Sequence, residues 1–164
     1  MKKCILMHRK LMILILIGNL LLVIFWDNLS FNKHTNDVES IAVQFLGYML
    51  DGDADKCTDL MCDELIESSG YESEKLFTRA LQQTLDSIVD DYKNEFGKRW
   101  KYTVTVVDVL DYSSFYEGDD MKKVVLQIDH KSRSIFNNKE GTEDFVLIMT
   151  LIDGEWLVYD FPLN

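Results

Sequence analysis

From Val38 onward the apolar residues recur three and four positions apart. Val38, Ile41, Ala42, Phe45, Leu46, Met49 and Leu50 form one stripe, the mark of a helix packed on one side. Asn36 stands where an N-cap belongs, with Glu39 three residues on in the spacing of a capping box. Gly52 ends this helix. Asp53 can cap a second, shorter one that carries Ala54, Cys57, Leu60, Met61, Leu65 and Ile66 and stops near Gly70. A third runs from about Ser73, with Leu76, Phe77, Ala80, Leu81, Leu85, Ile88, Val89, Tyr92 and Phe96 along one side and Gly97 just past its end.

After Gly97 the period changes from helix to strand. Trp100–Tyr112 is rich in β-branched and aromatic residues. Glu117-Gly118-Asp119-Asp120 turns the chain into a second strand, Met121–Lys131, and Asn137-Asn138-Lys139-Glu140-Gly141 turns it again. Thr142–Ile152 is largely apolar from Phe145 onward, which predicts burial on both faces. Asp153-Gly154 then predicts a two-residue hairpin into Glu155–Phe161. Three helices followed by four antiparallel strands is an α+β order, with the helices packed on one face of a curled sheet.

The first 35 residues follow another pattern. Leu11 to Trp26 is sixteen residues without a charge, behind Lys2, Lys3, Arg9 and Lys10. At about 1.5 Å per residue the run reaches roughly 24 Å, short of a hydrocarbon core of about 30 Å, and the flanking Arg9 and Lys10 can snorkel at one end. A cleaved signal peptide is the rival, but Val23-Ile24-Phe25-Trp26-Asp27 offers no small-residue cleavage site. The sequence thus predicts a basic cytoplasmic head at 1–10, an uncleaved anchor at 11–26, a tether at 27–35 and an outer domain at 36–164.

Charge sharpens this division. The chain has 164 residues and a net charge of −11, yet its first 26 residues carry four bases and no acid. The remainder therefore holds 28 acids against 13 bases. Such a domain lacks the cations that nucleic acid or an anionic membrane surface requires. The chain as a whole is 47% hydrophobic and 12% aromatic, too apolar for a disordered acidic tail.

Few residues suggest chemistry. Asp51-Gly52-Asp53-Ala54-Asp55 opens like a calcium loop, but Lys56 and Cys62 stand where an EF-hand needs Gly and Glu. A helix end and the cap of the next helix explain it better. Cys57 and Cys62 are about 140° apart on an ideal helix, so only a break between them would allow a disulfide. Buried free thiols are the plainer expectation. No metal or other cofactor signature is found.

The run Phe45-Leu46-x-x-Met49-Leu50-x-Gly52-Asp53, a broken second helix, and the closing Asp153-Gly154-x-Trp156-x-Val158-x-Asp160 together resemble the nuclear transport factor 2-like superfamily. The resemblance covers about residues 36–161 and implies a cone-shaped, cystatin-like fold. That superfamily holds isomerases, dehydratases, ligand-binding modules and anchored bacterial domains, so it leaves function open. Its enzymes commonly place an acid–base pair inside the cone, where Tyr102, Asp108 and His130 could meet.

Strand alternation puts Tyr102, Val104, Val106 and Asp108 on one face with Val124, Leu126, Ile128 and His130. The pocket candidates are thus Tyr102, Val104, Asp108, Leu126, Ile128 and His130. Being mostly apolar, they predict a small cavity or filled core without an acid–base dyad, and only a modest stability loss for His130→Ala. The first functional expectation is a non-catalytic domain binding a protein partner or small apolar ligand at the cell envelope. A structural single-pass subunit of a type IV secretion or conjugation machine shares the same layout, and a hydratase or isomerase is the third class.

Overall fold

The computed structural model describes residues 37–112, 120–132 and 139–162, all within the second of two units, Asn36–Asn164. The expected head at 1–10, anchor at 11–26 and tether at 27–35 lie outside the described residues. Among those described, no helix is long and apolar enough to cross a membrane.

Helix α1 (Val38–Asp51) buries every member of its expected stripe. Its N-cap is Asp37, one residue later than the capping-box spacing predicts, and that side chain makes no cap hydrogen bond. Asn36 lies outside the described residues. Gly52 closes the helix in the left-handed region at φ 75°, where glycine alone carries no steric penalty.

The expected second helix is two helices, making four among the described residues rather than three. Helix α2 (Ala54–Thr58) starts at Asp53, whose carboxylate accepts from the Lys56 N–H, and α3 spans Asp63–Ser68. Between them Met61 bridges to Val158, with Cys62 N–H donating to Val158 O and Val158 N–H to Leu60 O. Backbone groups given to a strand cannot also serve a helix ladder. Helix α4 (Glu74–Phe96) begins at Ser73, whose hydroxyl accepts from Leu76 N–H, and buries Phe77, Leu81, Leu85, Val89 and Phe96. Leu76, expected on that stripe, is exposed.

Strands β1 (Lys101–Asp111), β2 (Met121–Lys131), β3 (Glu140–Ile152) and β4 (Glu155–Asp160) form one antiparallel sheet in sequence order. Asp153 and Gly154 both have positive φ (51° and 84°), the geometry of a type I′ hairpin. The sheet's inner face carries Val124, Leu126, Ile128, Leu147 and Met149, which pack with α1 and α4 into one core around Phe45 and Leu85. On β3 the opposite face is half-buried at Val146 and Ile148 and buried at Thr150, so both faces are covered from Phe145 onward, the inner one more fully.

A bulge bends β1. The register shifts between Val106 and Asp108, so that Asp108 opposes Val125 and Val109 opposes Val124. One extra residue reverses the alternation beyond it. Val109 therefore turns toward the helices, and Asp108 turns out to solvent.

Candidate functional site

The polar centre of the domain is His130, the last inward residue of β2. It is 3% exposed and lies among rings. Tyr92 and Phe96 of α4 stack on it at 4.6 and 5.0 Å between centroids, and Trp100 at 5.7 Å. Gly141 lies opposite His130 across the β2–β3 ladder. A Cβ there would stand 3.0 Å from the Phe96 ring, so glycine is what lets this ring close over the strand.

Both imidazole nitrogens are engaged. Trp100 Nε1–H donates to Nδ1 at 3.0 Å. Indole nitrogen can only donate, so Nδ1 holds a lone pair and Nε2 carries the hydrogen. That nitrogen lies 2.9 Å from Glu143 Oε1, which also accepts from the Tyr92 hydroxyl. One carboxylate oxygen is thus held by two donors from two different elements. Burial first, and the Glu143 carboxylate second, push the Tyr92 phenol above its ordinary pKa, so Tyr92 stays a donor. The Glu143 side chain itself is 43% exposed, which allows its charge to remain solvated.

Glu143 and Tyr92 line a pocket of about 210 Å³ with Leu46, Met49, Leu50, Ile88, Ile128, Asp144, Phe145 and Pro162. Its walls are apolar and its polar groups are carboxylates and one phenol. A second, more polar hollow of about 630 Å³ lies over Tyr102, His130 and Thr142 at the ends of β1 to β3.

The six sequence candidates are only partly assembled. Leu126 and Ile128 are fully buried core, and of the two only Ile128 reaches the smaller pocket. Val104 is half-buried opposite Ile128. Tyr102 is in register with His130, but its hydroxyl donates to Asp51 Oδ1 at 2.7 Å and lies 3.1 Å from Gly47 O. Asp108, turned outward by the bulge, accepts from the Val109 N–H. The trio of Tyr102, Asp108 and His130 therefore does not meet.

His130 does have an acidic partner, but it is Glu143 and not Asp108. Sequence reasoning placed Tyr92 in the core stripe and passed over Trp100 and Glu143. The signal that finds Glu143 is the β2–β3 hairpin register, which puts it diagonally across from His130 on the same face. The thiols of Cys57 and Cys62 are free and buried. Burial pushes Cys57 up to about 12 and raises Cys62 as well, the opposite of a reactive thiolate. The Asp53 carboxylate pairs with Lys56 at 2.6 Å and caps α2. Among the described residues no cluster of three His, Cys, Asp or Glu side chains could hold a metal.

No family model and no curated protein matches the chain. Solved structures do. A Campylobacter jejuni protein named as a candidate NTF2-like transpeptidase is 15% identical, covering 74% of this chain and 96% of its own, with a TM-score of 0.43. An NTF2-like protein of unknown function from Shewanella oneidensis is 18% identical, covering 73% and 92%, with a TM-score of 0.34. Both of these structures are of NTF2-like proteins.

Proposed function

We propose that this chain is a membrane-anchored, extracytoplasmic binding domain of nuclear transport factor 2-like type, whose pocket recognises a cationic group. One observation carries the reading: Glu143 presents a fixed carboxylate to an apolar pocket while its partners have nothing left to give a substrate. His130 has no free nitrogen, and the Tyr92 proton is committed to the same oxygen. General acid–base work needs a group free to reach the reacting proton. Binding needs only a charge in a fixed place beside apolar walls. The direct test is whether an alkylammonium ion occupies the pocket and depends on Glu143.

A hydratase or isomerase is the second reading. It is favoured by the same hydrogen-bonded chain of Tyr92, Glu143 and His130, because Glu143 Oε2 could serve as a base at the pocket.

The placement outside the membrane rests on the basic flank, which lies entirely before Leu11. In a bacterial host, alkaline phosphatase fused after Asn164 should be active, and an export-sensitive fluorescent protein fused there should stay dark. The reverse pair of results would overturn that topology. A mature N-terminus near residue 30 would show a cleaved signal in place of an anchor.

A further inference from the structure

Strand β3 outruns its neighbour. It has thirteen residues, and only Ile148–Ile152 pair with β4, while β2 pairs with it from Glu140 to Thr150. The edge from Glu140 to Leu147 is therefore joined to no other described segment on the β4 side. An open edge is a template for another strand, and proteins commonly guard it with charge. Here Glu140, Glu143 and Asp144 are all acidic and exposed. Lys131 answers Glu140, but Asp144 has no ion pair among the described residues. The pocket opens along this same stretch, between Glu143, Asp144 and Phe145. At about 210 Å³ it falls below the roughly 300–1,000 Å³ of sites for drug-sized ligands, and one side chain suits it better.

We infer that the unpaired half of β3 receives an extended segment of a partner protein, with one lysine or arginine of that segment seated in the pocket. The inference rests on the binding reading above and names its ligand class. The aliphatic stem would lie against Met49, Ile88 and Phe145 and the cation at Glu143, which shares the inner face with His130, the division of labour that long basic side chains favour. Main-chain hydrogen bonds along the edge supply affinity, and the pocket supplies choice of side chain. A second copy of this chain does not suit the edge. Pairing two such strands would set acids against acids across the ladder, and a net charge of −11 on each copy adds repulsion.

The test uses the full chain in mild detergent with two pools of blocked octapeptides, randomised except for a central lysine or a central norleucine. Binding is read from amide exchange at Glu140 to Leu147 and from methyl NMR shifts of Met49 and Ile88. The lysine pool should slow edge exchange and half-saturate at least about tenfold lower than the norleucine pool, the size of one charged hydrogen bond. Glu143→Gln should abolish that preference. Glu143→Asp, which keeps the charge, should retain part of the preference, and Asp144→Asn, on the opposite face of β3, should leave it in place; loss of the preference in Asp144→Asn overturns the seat at Glu143. Equal binding of both pools, or lysine-pool binding without edge protection, overturns the inference. If n-butylammonium shifts the same methyls but the lysine pool does not, strand addition falls and the cation pocket stands. If neither binds, both fall.

Discussion

Replacing His130 by alanine should lower the unfolding free energy by about 3–5 kcal/mol, the range of a large aromatic deletion in a core. Two losses combine. Removing the imidazole opens a void between Tyr92, Phe96 and Trp100, rings that stack on it now. It also strips a partner from the Trp100 indole N–H and from Glu143, and an unsatisfied buried polar group costs about 1–3 kcal/mol. Sequence alone suggests a modest effect, because a histidine at a strand end is ordinarily half-solvated. Its 3% exposure reverses that expectation. Urea denaturation followed by circular dichroism measures the change, and a loss below about 1 kcal/mol would mean that the ring cluster contributes little.

The second large effect is alkaline destabilisation. Burial raises the Cys57 thiol from 9.0 to about 12, and it also raises the Tyr92 and Tyr102 phenols, with Glu143 and Asp51 as their second causes. A raised folded pKa means that the folded state holds its proton more tightly than the unfolded state does. Stability from these groups is therefore complete below about pH 9, and it is lost as pH climbs through the raised values. For Cys57 alone, three units at about 1.4 kcal/mol each amount to about 4 kcal/mol. The melting temperature should hold from about pH 7 to about pH 8.5 and fall steeply above. Cys57→Ala should flatten part of that fall. A melting temperature that holds up to about pH 11 in the parent chain would contradict the buried-thiol account.

The elements that were legible in the sequence are those whose signals are local. Ser73 caps α4, Gly52 ends α1 and Asp153-Gly154 turns the last hairpin, each by its own backbone preference. The resemblance implies a broken second helix, but the place of the break between α2 and α3 was not legible. It is set by Val158, far along the chain in β4, which takes the backbone groups of Leu60 and Cys62. The site failed to show for the same reason. Strict alternation carries Asp108 into the interior, but the bulge after Val106 gives that place to Val109. Tyr92 looked like one more core residue of an amphipathic helix. Its role depends on Glu143, fifty-one residues away, which meets it only through the β2–β3 register. His130 was found because it is the one histidine of the outer domain, and its partners were not, because no spacing connects them.

The proposed recognition turns on Glu143 as a fixed charge over an apolar pocket. The measurement that tests it most directly is a methyl NMR titration of the full chain with n-butylammonium and, separately, n-butanol. The ammonium ion should shift Met49, Leu50 and Ile88 methyls, residues that line the pocket, saturably and at lower concentration than the alcohol. Glu143→Gln should bring the two ligands level, with a loss of about tenfold for the cation. If both ligands shift the methyls equally in the parent chain, or if the cation's advantage survives Glu143→Gln, the carboxylate is not the recognition element and the central claim is wrong.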